Sequence, residues 1–364
     1  MANLNILCCD GGGIRGLIPA ILINNIASAV SSFRDTTSLF AGTSTGGIIA
    51  IALAAGVETD DIVGIYANSC STIFSQSIED SPASSITDMD GYIKNFVPSK
   101  YQGTVADVVV GIVAAADAAG TPIPKNLFSA KYSNAPLTTL LQNLFNTTTV
   151  GDSNVKPMFV TTFQLDNSSA QQWLPTSIDN LQGSATIGCS LVEAALSTGA
   201  APTFFPPYNN SALGYCVDGG TFANNPSMFV LAKALSLGYS LADIRMLSIG
   251  TGQNPNAVPS SYLDNPATGA DLWGTYQYMF PLDPTATMPN ELLLNLLMDG
   301  SSIVNDQQAG ILLGSSQYLR INPGLDETVA LDDCSVIESL TTTTNNYWSN
   351  AQDLIVNWIT TNWV

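Results

Sequence analysis

The chain has 364 residues, 46% of them hydrophobic and 11% charged, with a formal charge of −19 and no histidine. The missing imidazole excludes Ser-His-Asp triads, Cys-His dyads and His-based zinc sites, so any catalytic base must be another group. Ten basic residues against 29 acidic ones argue against a nucleic-acid partner and against electrostatic docking on anionic membranes, leaving apolar contact as the way to meet a lipid surface.

The first five residues carry no basic segment ahead of a long apolar run, so no secretory leader is expected and the protein reads as soluble and cytoplasmic. Leu4 to Cys9 is a short apolar run bounded by glycines, the pattern of a fully buried strand. Past the glycines, Ile14, Leu17, Ile18, Ile21, Leu22 and Ile26 recur at helical spacing. The unit then repeats: strand 38–41, turn 42–47, and an apolar helix 48–55 capped by Gly56. Two strand-loop-helix units predict a largely parallel sheet covered on both faces.

Residues 57–155 read as mixed helix and loop. Further strands are expected at 158–163, 215–217 and 245–249. Helices are expected at 191–200, from Asn225-Pro226 to Gly238, and around Tyr347, Ala351, Leu354, Ile355 and Trp358. The small-apolar stretch 105–120 is shorter than the roughly 20 residues of a membrane span. It and the run Leu292 to Met298 are expected as core helices, with a lipid-contacting lid as the alternative. Asp88-Met89-Asp90-Gly91 reads as a turn, because the spacing of its glycine does not suit a calcium loop. Cys8, Cys9, Cys70, Cys189, Cys216 and Cys334 lack C-x-x-C spacing. They are expected to be buried thiols in a reducing compartment, with room for one or two bridges. No internal repeat interrupts the chain, so a single domain, 1–364, of the α/β class is expected.

Three segments carry chemistry. Gly42-Thr43-Ser44-Thr45-Gly46 is a G-x-S-x-G between a strand and a helix. Such an elbow holds the serine in a strained conformation with its hydroxyl exposed, and its flanking residues must be small. The following helix N-terminus favours an oxyanion, although a plain strand-helix turn would have the same composition. Asp10-Gly11-Gly12-Gly13-Ile14-Arg15-Gly16 contains G-x-G-x-x-G. One reading is a dinucleotide loop, with Asp35 as ribose partner, opposed by the charge of Asp10 beside a pyrophosphate. The other is an oxyanion hole built from the N–H groups of Gly11, Gly12 and Gly13, with Arg15 adding positive charge. Asp218-Gly219-Gly220 is by itself an ordinary turn, but it ends a strand. In an open parallel sheet the carboxyl ends of the strands gather at one edge, so this strand is expected to bring it close to both loops. With no histidine present, a carboxylate is then the natural base for Ser44.

D-G-G-G-I-R-G at 10–16, G-T-S-T-G-G at 42–47 and D-G-G at 218–220, in this order, resemble the patatin-like phospholipase family. A-A-P-T-F-F-P-P at 200–207, L-S-I-G-T-G at 247–252 and Y-L-R at 318–320 extend the resemblance over nearly the whole chain. One departure is Thr37-Ser38, where patatins commonly carry Phe-Asp.

The resemblance implies a three-layer α/β/α arrangement with a mainly parallel sheet, a modified α/β-hydrolase fold. It implies Ser44 as nucleophile, Asp218 as proton acceptor, and Gly11, Gly12 and Gly13 with Arg15 as the oxyanion hole. Expected substrates are phospholipids, galactolipids or lysolipids met at a membrane or micelle surface, with neither metal nor cofactor. Two alternatives on the same fold are a storage or defence protein with weak esterase activity and a lipid transacylase.

Overall fold

A computed structural model of the protein describes residues 3–74, 99–100, 102–103, 107, 130–166, 172–264, 270–273, 278 and 292–363. The stretch 105–119, Asp107 apart, and the turn at 88–91 lie outside the described residues.

Among the described residues eight strands form one mixed sheet: β1 (Leu4–Cys9), β2 (Leu39–Thr43), β3 (Met158–Gln164), β4 (Leu174–Asp179), β5 (Tyr208–Asn210), β6 (Gly214–Asp218), β7 (Ile244–Ile249) and β8 (Tyr318–Ile321). Their order is β5-β6-β3-β2-β1-β7-β8, with β4 also paired to β3. The β3-β2-β1-β7-β8 half is parallel throughout, whereas β4 and β6 run antiparallel to β3.

The parallel strands are buried on both faces, which explains their continuous apolar runs. Alternate residues of β1 serve two cores. Leu7 and Cys9 pack with α1 (Leu17–Ala29), α2 (Thr45–Ala54), α3 (Thr59–Ile73), α4 (Ala135–Phe145), α5 (Leu191–Thr198) and, at the C-terminus, α8 (Ile337–Asn362). Leu4, Ile6 and Cys8 face α6 (Ser227–Ser236) and α7 (Leu292–Leu313). The result is the expected three-layer α/β/α arrangement.

Helix boundaries follow local chemistry. Ser190 caps α5 by accepting from the Glu193 N–H at 3.1 Å while Glu193 accepts from the Ser190 N–H at 2.8 Å, a capping box. Asn225 accepts from the Ser227 N–H at 2.9 Å, and Pro226 stands where its missing donor costs nothing. Gly56 closes the turn after α2 at φ 83°.

Three expectations are corrected. First, β6 is not parallel to its neighbours. Second, Cys70 and Cys334 are joined in a disulfide across 264 residues, so only Cys8, Cys9, Cys189 and Cys216 are free thiols. No spacing signal could pair cysteines that far apart. Third, Leu292–Met298 is amphipathic rather than core: Leu292 and Met298 are buried, but Leu293, Leu296 and Leu297 are exposed. Among the described residues no helix is long and apolar enough to cross a membrane.

Candidate active site

The reversed direction of β6 accounts for the position of Asp218. Strand β4 occupies one edge of β3 along 159–164, so β2 and β6 must share the other edge. There β2 runs up to Thr43 opposite Thr161, and β6 runs down to Asp218 opposite Thr162. The C-terminal ends of the two strands therefore meet head to head, and Ser44 and Asp218 are the first residues past or at that junction. Thr43 fixes the meeting point, its hydroxyl paired with Thr161 Oγ1 at 2.7 Å and donating to the Ala223 carbonyl at 2.6 Å.

Ser44 has φ 55° and ψ −125°, a left-handed conformation that costs a non-glycine residue energy unless its surroundings impose it. Its N–H donates to Thr198 Oγ1 at 2.9 Å, and its carbonyl accepts from Ile48 N–H at 3.0 Å as α2 begins. The elbow glycines are sterically required. A Cβ on Gly42 would lie 2.1 Å from the Gly46 carbonyl oxygen, and one on Gly46 would lie 2.4 Å from the carbonyl oxygens of Cys9 and Asp10. Thr45 hydrogen-bonds Tyr66 Oη at 2.7 Å, tying the first turn of α2 to α3.

Asp218 is 2% exposed. One carboxyl oxygen, Oδ1, accepts from the Gly220 N–H at 2.7 Å, while Oδ2 has no partner at hydrogen-bonding distance. Burial pushes its pKa up to about 7, and the neighbouring Ser44 hydroxyl and the Gly220 N–H pull against that rise. A carboxyl with one vacant oxygen facing a serine hydroxyl can accept its proton once the two draw together, as such pairs do when substrate binds.

The glycine loop adjoins Ser44: a Cβ on Gly11 would touch Ser44 Cβ at 3.1 Å and Asn224 Oδ1 at 2.3 Å. The Gly11 N–H already donates to the Asn224 carbonyl at 3.0 Å, and Ile14 N–H donates to Leu331 O at 2.8 Å. Of the three glycines expected as donors, Gly11 thus has its N–H engaged, whereas those of Gly12 and Gly13 make no hydrogen bond among the described residues. Gly13, at φ 57°, lies against the Leu331 carbonyl, where no Cβ could fit. Arg15 points elsewhere. It is 5% exposed, donates from Nη1 to the Gly252 carbonyl at 3.3 Å, and lines a different cavity from Ser44.

Asp10 does not present a free charge to this loop. Arg320 donates to both of its carboxyl oxygens, at 2.8 and 2.5 Å. Asp35, the residue considered for a ribose, precedes β2 and so lies at the sheet edge opposite the loop, beside Lys156 at 3.7 Å.

Ser44, Asp218, Gly12 and Gly13 line one cavity of about 70 Å³, whose other walls are apolar apart from Thr45 and Tyr66. Sequence reasoning missed those walls. Ile65, Ile73 and Phe74 come from α3 and its end, Leu137 from α4, Met298 from α7, and Phe204 and Phe205 from the 200–207 segment. An apolar side chain gives no sign of whether it faces a core or a cavity; of these residues only Met298 lay in a run considered for lipid contact.

Residues 7–231 match the family described as patatin-like phospholipase, and the chain belongs to that family, one of lipid hydrolases. The protein teg of Priestia megaterium is 25% identical over 362 residues, covering 95% of each chain. The cGAMP-activated phospholipase of Escherichia coli is 24% identical, over 75% of this chain and 69% of that one. The crystal structure of VipD from Legionella pneumophila aligns with a TM-score of 0.39 at 13% identity, covering 99% of this chain and 77% of that one.

Proposed function

We propose that the protein hydrolyses carboxylic esters of lipids through a Ser44-Asp218 dyad and an acyl-enzyme. The observation that carries this reading is the pairing of a strained elbow serine with a buried carboxyl whose Oδ2 is unpartnered, both on one apolar cavity. Asp218 takes the Ser44 proton as Oγ attacks the ester carbonyl. The Gly12 and Gly13 N–H groups hold the oxyanion, each such donor contributing about 3 kcal/mol in comparable sites. Asp218 then protonates the leaving alcohol and activates water for deacylation. The apolar walls accept the acyl chain of a phospholipid, galactolipid or lysolipid.

Exposed Leu293, Leu296 and Leu297 lie on α7 immediately before Met298, which lines the cavity, and this arrangement supports apolar contact with a membrane or micelle near the cavity. Transfer of the acyl group to an alcohol rather than water would use the same residues. The test is labelling by a fluorophosphonate probe, followed by turnover of phospholipid, galactolipid, lysolipid and short-chain esters. Labelling at Ser44, lost in Ser44→Ala, is expected. An unlabelled Ser44 in a protein that still hydrolyses esters would overturn the dyad.

A further inference from the structure

On the other side of the glycine loop is a second and larger cavity, about 540 Å³, within the roughly 300–1,000 Å³ typical of small-molecule sites. Gly11 and Asn224 form the partition between the two. Asn224 Nδ2 donates to the Gly11 carbonyl at 3.3 Å and to Ser302 Oγ at 3.1 Å, and its Oδ1 is buried without a partner. The second cavity differs in chemistry from the first. Its walls carry amides, hydroxyls and five charged groups: the guanidinium groups of Arg15 and Arg320 and the carboxyls of Asp10, Asp299 and Asp306.

Arg320 is committed to Asp10, with its Nε also 3.9 Å from Asp306 Oδ1. Arg15 is not committed to any carboxylate. It is 5% exposed, yet the one hydrogen bond of its guanidinium is to the Gly252 carbonyl, Nε has no partner, and no salt bridge reaches it among the described residues. A buried guanidinium with donors to spare implies an oxygen acceptor. A phosphate does not suit that place, because Asp299 and Asp306 leave the walls with one more carboxyl than guanidinium groups. A cation does not suit it either, since it would sit against Arg15. Asp299 Oδ2 accepts from Asn256 Nδ2 at 2.6 Å and Asp306 Oδ1 from Tyr318 Oη at 2.7 Å, which leaves one oxygen of each carboxylate for a ligand. A neutral ligand rich in hydroxyls uses both signs: its oxygens accept from Arg15, and its hydroxyls donate to those two remaining oxygens. Leu292, Leu296 and Ile303 supply an apolar wall for the C–H face of such a ring.

We propose that this cavity is a binding site for a neutral polyhydroxylated ligand, a sugar or cyclic polyol, separated from Ser44 by the Gly11-Asn224 partition. Such a ligand could be free, or it could be the headgroup of the ester substrate. The second case alone rests on the lipid-hydrolase reading above.

The test uses the full chain and two variants that block the cavity differently. Asp299→Leu removes an acceptor. Gly300→Phe adds bulk from an exposed helical position where a Cβ meets nothing within 4 Å, so it disturbs no buried group and stands in if Asp299→Leu does not fold. Methyl glucoside, methyl galactoside, myo-inositol and inorganic phosphate are titrated at millimolar levels by saturation-transfer NMR. Turnover of glycosyl diacylglycerol and phosphatidylcholine vesicles is compared in parallel. The expected result is binding of at least one neutral ring compound but not phosphate, weakened tenfold or more by either variant and retained in Ser44→Ala.

A tenfold fall in the glycolipid-to-phosphatidylcholine turnover ratio in the variants identifies a headgroup. Binding without that fall identifies a free ligand. Binding in a protein that hydrolyses neither these lipids nor the lysolipid and short-chain esters of the panel above upholds the site and sinks the hydrolase reading instead. No binding of any ring compound together with an unchanged turnover ratio, binding that neither variant weakens, or phosphate binding in preference to the rings, overturns the proposal.

Discussion

Arg320 grips Asp10 across 310 residues of chain, Nη1 at 2.8 Å and Nη2 at 2.5 Å from its two carboxyl oxygens, with Nη1 also donating to Ser248 Oγ at 2.8 Å. This pair sits where β1 ends and the glycine loop begins, and it ties that junction to β8 on the far side of β7. Burial raises the Asp10 pKa and Arg320 opposes the rise, so the carboxylate depends on its partner.

Removing Arg320 should therefore be costly. Arg320→Ala leaves a buried charge without compensation and should destabilise by about 3–5 kcal/mol. Arg320→Lys should recover only part of this, because an ammonium cannot bond both oxygens in the plane of the carboxylate. Urea unfolding of both variants measures the effect. A loss below about 1 kcal/mol for Arg320→Ala would mean that the pair is no more than a surface contact.

The glycines make a graded prediction. Gly46→Ala drives a Cβ into the carbonyl oxygens of Cys9 and Asp10 at 2.4 Å, and backbone on both sides must move. Overpacking of this kind costs about 1–3 kcal/mol or more. Gly12→Ala meets Thr251, Oγ1 at 2.3 Å and Cβ at 2.6 Å; rotation would break the 2.7 Å bond from the Thr251 hydroxyl to the Gly11 carbonyl and leave Cβ in place, so the loop must shift, but away from one residue rather than from two carbonyls, at less cost than in Gly46→Ala. Gly300→Ala meets nothing on an exposed helix, and should stabilise by up to about 1 kcal/mol through helix propensity. Thermal melts should rank the three in that order. Any other order would mean that the close approaches relax freely.

How far the site was legible in the sequence depended on whether its features are local. The Ser44 elbow, the glycine loop and the strand end at Asp218 are each set by a few adjacent residues, and each falls where periodicity and glycine spacing put it. What joins them is not local. The strand feeding Asp218 was expected to be parallel, yet it reaches the site by running antiparallel along the edge of β3 that β2 vacates. Its direction depends on the course of the chain between residues 164 and 214, which no motif records. The engagement of the Gly11 N–H by Asn224 and the turning of Arg15 toward the second cavity are likewise contacts across more than 200 residues.

The cysteines can be counted directly. The Cys70-Cys334 bond links α3 to the segment just beyond Leu331, whose carbonyl receives the Ile14 N–H beside the glycine loop. Unfolded under non-reducing conditions the chain should show four reactive thiols, and six after reduction, by thiol titration. Cys334→Ser should lower stability by about 2–5 kcal/mol, since the bond closes a long loop in the unfolded chain. It should also loosen the Leu331 wall of the Ser44 cavity, seen as faster exchange of the Ile14 amide. Six thiols without reductant would show that the bond does not form.

The raised pKa of Asp218 gives two opposite pH effects. As the base proposed above it would work only when ionised, so kcat/KM for ester hydrolysis should rise with pH through about 7, the value to which burial has pushed it. A limb near 4 would place the base outside the buried cavity, and with no histidine in the chain no imidazole can account for a limb near 7. Stability should move the other way. Between the ordinary value of 3.8 and about 7 the folded state holds a proton that the unfolded state has released, so stability falls as pH rises across that interval. The loss is up to about 4 kcal/mol, present above pH 7 and absent below 3.8. Asp218→Asn keeps the shape, cannot ionise, and should be nearly inactive yet gain on the parent protein as pH rises from 4 to 7. Urea unfolding of both proteins at several pH values in that range checks the sign. A variant that loses stability relative to the parent on going up in pH would mean that the folded protein holds Asp218 as a stabilised carboxylate, and the assignment of its proton would have to be reversed.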